Sequence, residues 1–498
     1  MDSILDLETP IFNFKSDTGS TSWLIEHAVL GTICLGACGS GKTSAIGRGF
    51  SKHYLSLGWG GLVLISKPDE RKAWEKYCNE TGRKNDLIIV SPNEKNFFDF
   101  LQYEFDCSEI GSNATDNCVE VLKTVLKSSE EKSGGRSDDP FWENALDLLL
   151  FNSCDLCRLA FKKISIPLLY NIVSSAPKKD GDNSKKEKKN FFEKSFEAAQ
   201  DNINSQVTNL LSSLTEIEKE KIKNEEYFEQ LILDRIPDAA QLKAVDQFFF
   251  ETYRNLSEKT RSIVEFSFSS FLYRLTREPI YSLFCKNEST YTPESCLDGK
   301  IILIDLPVKK YHKIGRDIQV LVKYCWQRAM EKRNLNDNER IVFLYADECQ
   351  EFLHERDSEF LATSRSSRIA TFYLTQNLPN LYAMIGGSRY EHRIKALLGT
   401  IGTKIFLCNS DVETNSWASD LFGEAYTEDN SDTDTISGEF SISKSTSYKL
   451  EKIIRPEHFV GLKTGGARNG MQVEGYMHCQ NLIFSNGLPF QKVTFNQK

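Results

Sequence analysis

The chain has 498 residues, 40% of them apolar and 26% charged, with a formal net charge of −9. At roughly 150 residues per domain, that length allows two to four domains with real cores, and the composition excludes a disordered or fibrous protein. The acidic balance argues against a protein that coats nucleic acid through bulk charge, but it leaves room for a local basic lining.

The opening segment, MDSILDLETPIFNFK, has neither the basic start nor the apolar core of a signal peptide. The longest apolar stretch near it, residues 28–38, falls well short of the ~20 residues a membrane-crossing helix needs. The thirteen cysteines are scattered. Their one C-x-x-C, Cys154 and Cys157, lacks a second pair at zinc spacing, so it reads as two small residues of a buried helix. Reduced thiols and a cytoplasmic location are the expectation.

Over the first hundred residues, short apolar runs alternate with helical ones. Strands are expected at 31–35, 61–66 and 86–90, and helices at 40–55 and 71–81, a βαβαβ pattern that calls for a parallel sheet. From about residue 114 to 283, apolar residues recur at helical spacing. Within this region, residues 178–194 carry seven lysines against four acids, either a solvated linker or a contact for a polyanion. Strands return at 301–307, 341–348, 371–376 and 403–408, each an apolar run ending in a polar residue, as buried parallel strands do. Helices are expected at 315–333 and 357–368, and an acidic, Ser/Thr-rich mobile loop at 424–439. The expected organisation is an α/β domain in two sequence halves, 1–110 and 291–498, around a helical insertion at 111–290.

Residues 36–43, Gly-Ala-Cys-Gly-Ser-Gly-Lys-Thr, fit G-x-x-x-x-G-K-[ST], with a strand before and a helix after. The backbone of Gly36, Ala37, Cys38, Gly39, Ser40, Gly41, Lys42, Thr43 and Ser44 would cradle the phosphates of ATP. Lys42 would reach the β- and γ-phosphates, and Thr43 would ligate Mg²⁺. The apolar strand IVFLYADE then supplies Asp347 to support the metal and Glu348 to orient or deprotonate the attacking water. Asp305, ending the 301–307 strand, is a rival metal ligand without a neighbouring acid. Gln376 ends another strand, where it would position water or sense the γ-phosphate; a surface amide is the plainer alternative. Arg365 and Arg368 are candidate fingers for a neighbouring subunit's nucleotide, with Arg389 and Arg393 behind them, against solvated surface arginines.

The order GACGSGKT, YADE, YLTQ, with an arginine-bearing helix before the glutamine, resembles the FtsK–HerA superfamily of hexameric DNA-pumping ATPases, and within it the nucleotide-binding domain of type IV coupling proteins. SKPDE at 66–70, NFFDFLQYE at 96–104 and DPFWENALDLLL at 139–150 are further, weaker likenesses. The resemblance implies a RecA-like P-loop NTPase domain with a mainly parallel sheet, interrupted by an all-α insertion domain. It also implies ATP and Mg²⁺ as ligands, DNA as a partner, a homo-hexamer and translocation. Membrane-spanning helices usual in coupling proteins are missing from the sequence, which points to a soluble relative serving a mobile element or host defence. Lys309, Lys310, His312, Lys313 and Arg316 are the best basic cluster near the ATPase core, as a DNA contact or a solvated loop. A second reading is a nucleotide-gated oligomeric scaffold that binds a protein partner, such as a nuclease or effector, without moving DNA.

Overall fold

The structure, a computed structural model, describes residues 6–16, 18–107, 113–131, 140–178, 189–385, 390–437 and 439–497. It divides into two compact units, one of residues 1–88, 294–316 and 327–498, the other of residues 89–293 and 317–326. The lysine run lies mostly outside the described residues, as does Arg389.

The strands are β1 (Pro10–Ser16), β2 (Gly19–Leu24), β3 (Thr32–Leu35), β4 (Gly60–Leu64), β5 (Leu87–Val90), β6 (Ile301–Ile304), β7 (Val342–Ala346), β8 (Ile369–Thr375), β9 (Thr403–Leu407), β10 (Glu424–Ser437), β11 (Glu439–Lys452), β12 (Gln472–Cys479) and β13 (Phe490–Asn496). Nine of them form a sheet in the order β13-β12-β9-β3-β8-β7-β4-β6-β5. From β9 to β6 neighbouring strands are parallel, and β12 and β13 extend the sheet antiparallel. Every residue of β3, β4, β7, β8 and β9 is buried, which is what uninterrupted Val/Ile/Leu/Phe runs require when both faces of a parallel sheet are covered. The architecture is α/β of the RecA-like P-loop kind, with an all-α insertion.

Phe50 of the helix Arg48–Ser56 centres one face of this core. Its ring meets Phe12 at 4.6 Å, Trp23 at 5.2 Å and Phe372 at 4.5 Å. The ribbon of β1 and β2 thereby covers the helix that follows the P-loop, and Trp23 Nε1 donates to Thr403 Oγ1 at 3.2 Å. Sequence periodicity had no claim on this ribbon, nor on β12 and β13.

In the second unit the helices Asn113–Glu131, Pro140–Phe161, Ile166–Ser174, Phe191–Ser213 and Glu258–Leu275 dominate. Asn190 caps one of them in a reciprocal box with Glu193, and Ser257 caps another by accepting from the Thr260 N–H. Cys154 and Cys157 are buried in the helix Pro140–Phe161, and burial drives both thiols upward in pKa.

Three expectations change. Residues 424–439 are not a loop: β10 pairs along its length with β11, from Glu424↔Lys452 to Ser437↔Glu439. Acidic and hydroxyl residues read as loop signals, but Thr accepts extended backbone, and the partner strand supplies the hydrogen bonds. The helix expected at 315–333 begins earlier, at Val308, so the basic cluster sits on a helical segment kinked at His312, where φ is +52°. The helix expected at 357–368 ends at Thr363, and Arg368 takes a left-handed turn into β8.

Lys404 of β9 faces His478 of β12 across the sheet. Burial and the Lys404 charge hold His478 down to about 4, and burial lowers Lys404 to about 8. In the unfolded chain, groups at 6.5 and 10.5 bind protons that the folded state rejects, so each group makes stability rise with pH, between about 4 and 6.5 for His478 and about 8 and 10.5 for Lys404. Urea unfolding of His478→Gln should show a shallower loss of stability below pH 6.5 than the parent. Lys404→Met should flatten the alkaline rise instead.

Candidate functional site

The site forms where β3, β8 and β7 end. β8 lies between the other two, with Leu35 paired to Thr375 and Ala346 to Tyr373. Three loops therefore leave neighbouring strand tips together: the glycine-rich loop, Gln376, and Asp347-Glu348.

The loop after β3 is pinned by its backbone. The Gly36 N–H donates to the Thr375 carbonyl at 3.3 Å, and the Ala37 N–H to the Cys408 carbonyl at 2.9 Å. Gly41 is required twice over: its φ is +90°, and a Cβ there would come within 2.4 Å of Val473 Cγ2. Lys42 is buried and donates to the Ala37 carbonyl at 3.5 Å. Lys42–Gly47 opens the following helix as a wide π-turn before the regular helix Arg48–Ser56. Gln497 ties this turn to the chain's C-terminal region: its Nε2 donates to Ser44 Oγ at 2.9 Å while its Oε1 accepts from the Gly466 N–H at 2.7 Å.

Thr43 Oγ1 donates to Asp347 Oδ2 at 2.7 Å. A hydroxyl beside a carboxylate is a donor set of the kind Mg²⁺ takes when phosphate and water complete its shell, so these residues fit that ion. Among the described residues no cluster of three or more His, Cys, Asp or Glu side chains forms a metal site. Burial raises the Asp347 carboxyl above the usual carboxylate range; Thr43 works against the rise and the Glu348 charge adds to it.

Glu348 sits at φ +50°, a strained position for a residue with a side chain. Its carboxylate accepts from Gln350 Nε2 at 2.9 Å and from Gln376 Nε2 at 3.1 Å, and Lys67 Nζ lies 3.6 Å away. Burial pushes Glu348 up, but these amides, with the Lys42 and Lys67 charges, outweigh it and hold the group below its ordinary value. Two adjacent carboxyls are thus driven in opposite directions by their surroundings. Gln350 in turn accepts from Thr375 Oγ1 at 2.9 Å, and the Gln376 carbonyl accepts from Asn409 Nδ2 at 2.9 Å.

Lys67, Glu70 and Gln350 carry no role expected from the sequence, although 66–70 was singled out by resemblance, and Lys309, expected only as part of a basic cluster, lines the cleft. Glu70 is buried and accepts the Ser66 N–H at 3.1 Å and the Lys67 N–H at 3.2 Å, while the Ser66 carbonyl accepts from the Lys309 N–H at 3.0 Å. This braces the loop after β4 at the rim of a cleft of about 430 Å³, lined among others by Gly41, Lys42, Thr43, Lys67, Glu348 and Gln376.

The remaining candidates lie elsewhere. Asp305 is held by Arg71 Nη1 at 2.9 Å and does not line the cleft. Arg365 and Arg368 precede β8, whereas Gln376 follows it; seven residues of strand put them about 20 Å from the cleft end. Arg365 is exposed, Arg368 pairs with Glu339 at 3.3 Å, and Arg393 with Glu355 at 3.8 Å. Neither Arg365 nor Arg368 serves this cleft within its own chain.

A bacterial conjugative coupling protein, TrwBdeltaN70 in an unbound form, superposes with a TM-score of 0.59 at 13% identity, covering 98% of this chain and 88% of that one. Plasmid coupling protein TrwB in complex with the non-hydrolysable GTP analogue GDPNP gives 0.58 at 13% identity, covering 96% and 88%. TrwB in complex with ADP and Mg²⁺ gives 0.57 at 13%, covering 96% and 87%. The chain has a coupling-protein-like P-loop fold. A family model described as the TraM recognition site of TraD and TraG matches residues 341–464, which include Asp347, Glu348, Gln376 and the β10–β11 ribbon. No curated protein sequence matches the chain. Among the described residues, no helix is long and apolar enough to cross a membrane.

Replacing Glu70 with Leu would leave two backbone N–H groups at the cleft rim without their acceptor. The expected cost is about 1–3 kcal/mol in urea unfolding, and a variant as stable as the parent would show that the brace carries no weight.

Proposed function

We propose that this chain is an ATP-hydrolysing motor that acts on DNA as a ring of copies, hexameric by analogy with the superfamily it resembles. The observation that carries the reading is the Thr43–Asp347 contact with Glu348 beside it, directly across the P-loop from Lys42. The reported relatives include nucleotide complexes, which supports a nucleoside triphosphate as ligand.

In this reading the N–H groups of residues 38, 39 and 41 to 44 and the Lys42 ammonium hold the phosphates, those of Gly36, Ala37 and Ser40 being already bound to carbonyls of the protein, and Thr43 and Asp347 hold Mg²⁺. When bound, Mg²⁺ supplies charge neutralisation at the phosphate oxygens. Glu348, anionic and fixed by Gln350 and Gln376, takes the proton of a water aimed at the terminal phosphorus. Gln376 touches both that base and the strand tip next to the P-loop, so it senses whether the terminal phosphate is present. Arg365 is a finger only for a second copy's cleft. The helical unit is the insertion between the halves of the ATPase domain, with limits near 111 and 290.

A scaffold function has one observation in its favour. Tyr426, Tyr448 and Leu450 of the β10–β11 ribbon are exposed by 74%, 67% and 51%, inside the segment matched by the recognition-site model. Such side chains suit contact with a protein partner.

Lys42→Ala should lower ATP turnover by at least about a hundredfold, and Glu348→Gln should lower it comparably while still binding nucleotide. If both variants hydrolyse ATP like the parent, the assignment is wrong. Duplex or single-stranded DNA should raise the parent's turnover several-fold, with the stimulation fading as salt rises; a flat response would favour the scaffold.

A further inference from the structure

Lys67 is a cation in the cleft that the P-loop pattern does not account for. Its Nζ lies 3.6 Å from Glu348 Oε1, and its side chain is 44% exposed, so the ammonium is half open to the cleft and tied there to Glu348. Its backbone is the opposite. The buried Glu70 carboxylate accepts the Lys67 and Ser66 N–H groups, and the Lys309 N–H closes on Ser66. A long side chain with many rotatable bonds thus carries its ammonium from a fixed backbone root into the cleft that Thr43 and Lys42 also line.

We propose that Lys67 reads the terminal phosphate: its ammonium rests on the Glu348 carboxylate when that phosphate is absent and transfers to the γ-phosphate when it is present. The inference rests on the nucleotide-binding reading given above and adds a residue to it. The physical basis is competition between anions. A single carboxylate already satisfied by two amide donors offers the ammonium less than a terminal phosphate with three acceptor oxygens. In a diphosphate, the last phosphate sits one position deeper in the P-loop, where Lys42 already serves it, and Lys67 keeps its carboxylate. Transfer also removes the lysine from Glu348, leaving that carboxylate to Gln350, Gln376 and water. Lys67 is thus a positioning residue for Glu348 and a specificity residue for triphosphate over diphosphate.

The test measures the dissociation constants of a non-hydrolysable ATP analogue and of ADP, each with Mg²⁺, for the parent, Lys67→Met and Lys67→Arg. The ATP analogue should bind Lys67→Met about tenfold more weakly, while ADP stays within about twofold of the parent. Lys67→Arg should recover most of the loss. A thermal melt matching the parent would confirm that the exposed side chain is not needed for folding. If Lys67→Met weakens both nucleotides alike, or neither, Lys67 does not read the terminal phosphate and the proposal is wrong. If the parent itself binds neither nucleotide, the nucleotide-binding reading falls first and takes this inference with it.

Discussion

The hydrogen bond from Thr43 to Asp347 spans the end of β8, and the site depends on it. Thr43 starts the helix after β3, and Asp347 ends β7, so the contact forms only because one strand stands between them and all three run parallel in register. The sheet's apolar runs set that register. Each of these strands is buried along its length, and slipping one by a residue would move its side chains to the opposite face. Burial thereby fixes where the polar ends emerge. The chemistry is the residue of an apolar packing problem, collected at the carboxyl edge of the sheet.

The same edge shows how a cluster of buried charge is tolerated. Asp347, Glu348 and Glu70 are all buried carboxyls within one small region, an arrangement that is costly without compensation. Each is satisfied differently: Asp347 by a hydroxyl, Glu348 by two amides and a lysine, Glu70 by two backbone N–H groups. The outcome differs accordingly. Glu348 is held low enough to be an anionic base, while Asp347 and Glu70 are pushed up, each raised further by a neighbouring carboxylate's charge. Divergence of this kind between neighbours follows from local donors, not from residue type.

How much of this was legible in the sequence depends on whether the information is local. The P-loop carries its own glycines and lysine, and a run such as IVFLYADE marks both its strand and the carboxylates at its end. Gln376 was found in the same way. The ribbon of β1 and β2, the strands β12 and β13, and the pairing of β10 with β11 depend on partners distant in sequence or on faces that no short window reveals. Asp305 looked like a second metal ligand because its strand ends as that of Asp347 does. Arg71, 234 residues away in sequence, decides against it. Glu70 and Lys67 sat in a segment noticed only by resemblance, because their roles arise from backbone contacts that residue type does not announce.

The charge balance of the cleft bears on assembly more directly than the net charge of the chain. Its lining brings Lys42, Lys67 and Lys309 against Glu348 and Glu351, with Asp347 immediately behind. A bound triphosphate adds several negative charges to a site whose cations are already partly committed: Lys67 to Glu348 and Lys42 to the Ala37 carbonyl. One Mg²⁺ offsets part of the excess. Further positive charge of the arginine kind, which stabilises the transition state of phosphoryl transfer, is absent from the residues lining this cleft. The arginines at 365 and 368 sit at the far end of β8, separated from the cleft by the whole strand. Geometry therefore sets the condition under which they matter: the exposed Arg365 completes a phosphate site only if a second copy packs the start of its own β8 against this cleft. A net charge of −9 is no obstacle to such a site, because the few cations that matter act at short range around the phosphates, whatever the sum over the whole chain.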